Sequence, residues 1–194
     1  MLNRVGILGF QGCIEPHEDA FASLGVKTCR VTNPSHLESI DRLILPGGES
    51  STILRFLKQN SMILPLQEFA RQKPTWGICA GAILLASTVS NPEQDSLGIL
   101  PIVAHRNFYG SQTESCTTTL ELDLVDTPVH AQFIRAPLLS KSSQESSAAL
   151  KIHASWQGHP VFFSLGNVWA TSFHCELSPP YPLHEVFCKL NPQA

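Results

Sequence analysis

Charge is scarce in this chain: Asp, Glu, Lys and Arg together make up 15% of its 194 residues, and the formal net charge is −3. So small an imbalance gives no electrostatic reason to expect a nucleic acid or an anionic membrane as partner. Long apolar runs are missing too. None approaches the roughly 20 residues that span a bilayer, and the opening MLNRVGILGFQG is apolar only over a strand's length, with no signal-peptide cleavage pattern. A cytosolic location is expected. Metal-ligand spacing is equally absent. The six cysteines (13, 29, 79, 116, 175 and 188) contain no CxxC pair, and the eight histidines form no HxxxH or HExxH motif. Neither a metal nor a bound cofactor is therefore expected. Widely scattered cysteines without a secretion signal point to reduced thiols rather than disulfides.

What is present is a globular composition, with 43% hydrophobic residues and no internal repeat. One domain over residues 1–194 is expected. Arg4 to Phe10 is an apolar, β-rich run ending at Gln11-Gly12. Glu18 to Leu24 has helical spacing with Gly25 placed to stop it, Val26 to Val31 is a second strand candidate, and Ser39 to Leu45 a third. Helices are expected over Ser51 to Gln59 and Leu64 to Arg71, then a strand from Pro74 to Ile78 and a helix from Ala80 to Ala86. This alternation argues for an α/β fold: three layers, a mostly parallel sheet with helices on both faces.

From about Gly98 onward, short β-rich runs take over: Thr117 to Asp123, Ala131 to Ile134, Leu150 to Ser155, Val161 to Ser164 and Val168 to His174. They are expected to add antiparallel strands to the same core, with a closing helix from Leu183. Ser140 to Ser147 has the composition of a surface loop.

The chemistry concentrates where strand meets helix. Gly77-Ile78-Cys79-Ala80-Gly81 has the G-x-nucleophile-x-G form of a nucleophile elbow, in which small flanks allow a sharp turn to project one side chain. A cysteine there lies at a helix N-terminus, which favours a thiolate, and the Ala80 amide is free to bond a developing oxyanion. A cysteine nucleophile needs a base, and the base an orienting group. His174 and Glu176, two apart in a β-rich run, can share one face while Cys175 points away into packing.

Leu45-Pro46-Gly47-Gly48-Glu49-Ser50-Ser51 follows a strand and lets backbone N–H groups approach a ligand. Ala104 to Gln112 is dense in donors and aromatics, and Arg106 carries a planar fork suited to a carboxylate. Each stretch alone is also compatible with a structural role: a buried cysteine, a satisfied histidine, a β-turn, an exposed arginine. Their order, at the carboxyl ends of expected strands, is what joins them.

GICAG, PGGES and SFHCELS resemble the three active-site segments of class I glutamine amidotransferases. GILGFQG, PGGESS, WGICAG, HRNFYGSQ and FIRAP are similar, more narrowly, to the glutaminase subunits of pyridoxal 5′-phosphate synthase. The resemblance implies hydrolysis of L-glutamine to glutamate and ammonia through a γ-glutamyl thioester, with Cys79 as nucleophile, His174 as acid and base, and Glu176 orienting it. It implies an oxyanion hole at Gly48 and Ala80, and glutamine contacts at Gly48, Glu49, Ser50, Arg106, Ile134 and Arg135. It implies further that ammonia passes to a separate synthase subunit, with Gln11 near that interface.

The resembling family usually has proline where this chain has Cys175, so His174 loses the rigidity of a fixed φ beside it. The short stretch after Glu176 leaves no room for a fused acceptor, which makes a partner chain the expectation. Three alternatives remain at this point: the glutaminase of another amidotransferase, a catalytically silent scaffold, and a stand-alone cysteine hydrolase. The Gly47–Gly48 peptide is expected to have two accessible orientations, one of them unproductive.

Overall fold

The computed structural model describes residues 4–108, 115–143 and 148–191. Its strands are β1 (Arg4–Leu8), β2 (Lys27–Val31), β3 (Arg42–Leu45), β4 (Thr75–Ile78), β5 (Ala86–Ser90), β6 (Leu100–His105), β7 (Cys116–Leu122), β8 (Val125–Phe133), β9 (Leu138–Lys141), β10 (Lys151–Trp156), β11 (His159–Leu165) and β12 (Val168–Thr171). Its helices are α1 (Ile14–Ser23), α2 (Ser50–Gln59), α3 (Ile63–Gln72), α4 (Ala80–Leu85) and α5 (Pro182–Lys189).

A seven-stranded sheet in the order β10-β11-β12-β4-β3-β1-β2 forms the centre. The pairs β1/β2, β1/β3, β3/β4 and β4/β12 are parallel, while β11 is antiparallel to both its neighbours. Alternation along each strand divides the core into two. Ile44 on β3 and Val5 and Ile7 on β1 face α1, α5 and the β7–β8 hairpin. Leu43, Leu45 and Leu8 face α2, α3, α4 and the small β5-β6-β9 sheet. These are the three layers expected of the α/β pattern. Among the described residues, no helix is long and apolar enough to cross a membrane.

Several elements differ from the sequence expectations, each for a physical reason. α1 begins at Ile14, four residues early, because its buried stripe of Ile14, His17 and Phe21 includes a polar member that breaks the apolar pattern. The segment before β3 is a 3-10 turn, Pro34–Ser39, started by Pro34. β5, β6 and β9, rich in Ser or containing Pro, carried no strand signal. The second half is not wholly antiparallel: β12 joins β4 in parallel, and β5-β6-β9 and β7–β8 form sheets of their own. Ser140 and Lys141 end β9 rather than lying in a loop, and residues 144–147 are outside the described residues.

What matters for the site is the adjacency of β12, β4 and β3. Their register pairs Thr171 with Ile78 and Leu45 with Gly77, so the three strands end side by side. The PGGES turn, Cys79 and the His174 segment all leave the sheet at that edge.

Candidate active site

Cys79 occupies the corner between β4 and α4 with φ +50° and ψ −101°, a left-handed backbone that a residue with a side chain rarely adopts. The corner exists because backbone packs on backbone. A Cβ on Gly81 would lie 2.0 Å from the Leu45 carbonyl oxygen, and one on Gly77 would lie 2.5 Å from the Gly81 carbonyl. Cys79 is anchored by its own N–H, which donates to the Thr171 carbonyl at 2.8 Å, and its carbonyl accepts from Ile83 at 3.1 Å. Ala80 opens α4, so its amide has no carbonyl within the helix to bond.

His174 arrives three residues beyond β12. Its main chain exchanges two hydrogen bonds with Gln132 on β8, at 2.8 and 2.9 Å, in an isolated antiparallel bridge. The extended segment so fixed puts His174 and Glu176 on one side, and their Nδ1 and Oε1 atoms are 2.6 Å apart. Cys175 faces away into the apolar core with 5% of its surface exposed. Burial, aided by the neighbouring Glu176 charge, pushes the Cys175 thiol well above the ordinary value, so it stays protonated and inert. The double bridge to Gln132 holds the main chain where proline would otherwise have stiffened it.

Burial disfavours a charged His174, but hydrogen-bond contacts with Cys13, Cys79 and Glu176 outweigh it and raise the imidazole well above its ordinary value. Burial likewise disfavours an ionised Glu176, yet His17 and His174 hold the carboxyl down at about 2. The imidazole edge also packs against Gly47, where a Cβ would lie 2.2 Å from His174 Cε1. Gly47→Ala is therefore expected to displace the ring. A misplacement of about 1 Å can cost on the order of 100-fold in rate, whereas overpacking costs about 1–3 kcal/mol of stability. Turnover and thermal melts measured together check it; a variant with full turnover would show that the ring's position is not critical.

The remaining predicted residues surround one cleft, lined by Gly48, Glu49, Ser50, Cys79, Ile83, Arg106, Asn107, Ile134 and Arg135. Arg106 Nη2 donates to Glu49 Oε1 at 2.8 Å, so an ion pair sits within the cleft. Glu49 also accepts from the Ser51 hydroxyl at 3.0 Å and caps α2. Gln11, expected at a partner interface, lies against this loop: its Oε1 accepts the Glu49 amide at 2.9 Å. The Gly47 carbonyl accepts the Cys13 amide at 2.9 Å, which fixes the orientation of the Gly47–Gly48 peptide in this structure. Tyr109 to Gln112 of the HRNFYGSQ segment are outside the described residues.

Sequence reasoning missed Cys13, Ile83, Asn107, His17 and His184. Asn107 has φ +56°, a turn conformation for which asparagine was the available signal. Ligand atoms of Cys13, His174 and Glu176 lie within 4.8 Å of one another, with His174 Nδ1 and Glu176 Oε1 engaged by their mutual hydrogen bond.

Residues 7–191 match the SNO glutamine amidotransferase family. The chain belongs to that family. This amidotransferase is 40% identical over 189 residues to the pyridoxal 5′-phosphate synthase subunit PdxT of Thermotoga neapolitana, spanning 96% of this chain and 98% of the relative. It is 40% identical over 191 residues to the PdxT subunit of Clostridium acetobutylicum, spanning 96% of this chain and all of the relative. A solved glutamine amidotransferase has 35% identity and a TM-score of 0.87, covering 96% of this chain and 97% of that one. A putative GMP synthase subunit from Thermoplasma acidophilum, at 16% identity and TM-score 0.66 over 98% of this chain and 94% of that one, shares the fold. The α/β architecture of the amidotransferase is thus that of its relatives.

Proposed function

We propose that this chain is the glutaminase subunit of a pyridoxal 5′-phosphate synthase, acting in the cytosol and passing ammonia to a separate synthase subunit. The observation that carries it is the buried line Glu176–His174–Cys79, ending at a cleft with adjacent Arg106 and Glu49. An α-amino acid carries one carboxylate and one ammonium. The free edge of the Arg106 guanidinium suits the first and the Glu49 carboxylate the second. All six cysteines are unpaired, which supports a reducing compartment.

The chemistry follows from the geometry. Cys79 Sγ attacks the side-chain carboxamide carbon of glutamine, and the oxyanion that forms is held by the amides of Gly48 and Ala80. His174 gives its Nε2 proton to the departing nitrogen as the C–N bond breaks, leaving a γ-glutamyl thioester and ammonia. The neutral imidazole then takes a proton from water, whose oxygen attacks the thioester carbon. The thioester C–S bond then breaks, glutamate leaves, and Cys79 Sγ and the protonated His174 return to their starting state. Glu176 keeps the Nδ1–H tautomer in place throughout. Ser50, Ile134 and Arg135 complete the walls around the substrate, and Gln11, bonded to the Glu49 amide, relates the partner-facing turn to the oxyanion loop.

The decisive test is ammonia release from glutamine with and without the synthase subunit. Turnover that rises on adding the synthase supports the proposal. Equal turnover without it favours a stand-alone hydrolase, and none in either case favours a silent scaffold. Arg106→Met is expected to act on binding. Losing one charge-assisted hydrogen bond of about 1.5–3 kcal/mol lowers kcat/KM by roughly 10- to 100-fold, mostly through KM. A glutamine analogue without its α-carboxylate should lose nothing further in the variant. Equal sensitivity of wild type and variant to that analogue would remove Arg106 from carboxylate recognition.

A further inference from the structure

Two histidines lie wholly inside the protein behind the site, and the proposed reaction uses neither. His17 on α1 and His184 on α5 each expose 0% of their surface. Their Nδ1 and Nε2 atoms are 3.0 Å apart, and both rings pack edge-on to Trp76. His17 Nε2 points toward Glu176 Oε1 at 3.8 Å, a charge–dipole contact rather than a hydrogen bond. Among the described residues, His17 Nε2, Glu176 Oε2 and His184 Nδ1 have no hydrogen-bond partner. Burial of this kind is costly unless the groups act on each other.

The tautomers follow from sign. A lone pair on His17 Nε2 would face a carboxylate, whereas an N–H there faces it favourably. With Nε2 protonated, His17 Nδ1 accepts, so His184 Nε2 must donate to it. The N–H groups of His184 and His17 then line up in one direction, ending at Glu176. We propose that His17, locked by His184, is a positioning residue of the glutaminase centre: its Nε2–H steadies the buried Glu176 carboxylate, and that carboxylate in turn aims His174 at Cys79.

The groups facing Glu176 are His174 on its own segment, Cys13 before α1, His17 on α1 and His184 on α5, while Cys175, next in the chain, points the other way but feels its charge. Burial pushes both inner histidines below the ordinary imidazole value, His184 to about 3. An oriented N–H on His17 is therefore what Glu176 meets at working pH.

This inference rests on the glutaminase reading, so its test uses two readouts. The first is the pH profile of kcat/KM for glutamine in the full chain with its synthase partner. The second is the low-field NMR signal of the His174 Nδ1 proton, followed on acidification, which needs no turnover. His17→Met and His17→Gln are nearly isosteric, and only Gln keeps a donor at the Nε2 position. In His17→Met the acid limb should move up by about one pH unit, a roughly tenfold loss at any pH on the falling part of that limb, and the proton signal should vanish at correspondingly higher pH. His17→Gln should stay within about threefold of wild type at each pH, because it restores the donor.

A uniform loss across pH in both variants, or an unmoved limb in His17→Met, overturns the proposal. Should the His17→Met variant not fold, His184→Phe frees the His17 tautomer and must shift the limb in the same direction; an unmoved limb there overturns it equally. If the wild type releases no ammonia at all, the glutaminase reading falls, and the NMR shift still decides the role of His17.

Discussion

Replacing Cys79 by serine is expected to abolish ammonia release, with kcat falling by at least ~10⁴-fold. The substitution changes one atom in a residue that is 7% exposed and leaves the φ +50° corner intact, so the fold and the cleft should be unaltered. What changes is nucleophilicity. A hydroxyl needs a strong base at the moment of attack, but the contacts with Cys13, Cys79 and Glu176 raise His174 well above its ordinary value and so favour its protonated form. That arrangement serves a thiol, which ionises readily, and not an alcohol. Cys79→Ala should be equally inactive. An electrophile mounted on a glutamine side chain should label wild type at Cys79 and neither variant. Retention of more than about 1% of wild-type turnover by Cys79→Ser would take Cys79 out of the mechanism.

Glu176→Gln should rank second, with kcat down by roughly 10³- to 10⁴-fold, since a neutral amide neither fixes the His174 tautomer nor balances its charge. The same variant carries a stability signature whose sign follows from the carboxyl. Glu176 is held at about 2 in the folded protein against an ordinary 4.5. A depressed folded value stabilises above the unfolded value and loses that contribution as pH falls through the folded one. Wild type should therefore lose stability faster than Glu176→Gln between about pH 4.5 and pH 2. Parallel denaturant melts across that window measure it. Identical slopes would mean that the buried carboxylate is not held ionised.

The two halves of the site differ in how plainly they are written in the chain. The elbow at Cys79 is local: two glycines, a strand and a helix within a few residues, each recognisable by its own backbone requirement. His174 and Glu176 were paired by the two-residue alternation of an extended segment. The structure keeps that pairing although β12 has already ended at Thr171, because the bridge to Gln132 prolongs the extended backbone. The elements misjudged are those where tertiary burial overrode composition. β5 and β9 are strands despite their serines, and α1 is longer than its apolar residues indicate because His17 belongs to its buried stripe.

Arg106 shows the limit of local reasoning most clearly. Its fork marked it as a carboxylate ligand, yet in the fold it pairs with Glu49, 57 residues away, and the proposed match to an amino acid needs the two together. By itself, the sequence singled out Cys79, His174 and Glu176 as the candidate nucleophile, base and orienting carboxylate, and it determined the α/β pattern and the family likeness, since all of these rest on short-range spacing. The tertiary structure alone decided that Gly47 must be bare because His174 packs on it. It alone decided that Arg106 and Glu49 share a cleft, and that His17 meets His184 across 167 residues behind Glu176. Those arrangements depend on which helices cover which face of the sheet, and packing of that range leaves no periodicity in the chain for a reader to detect.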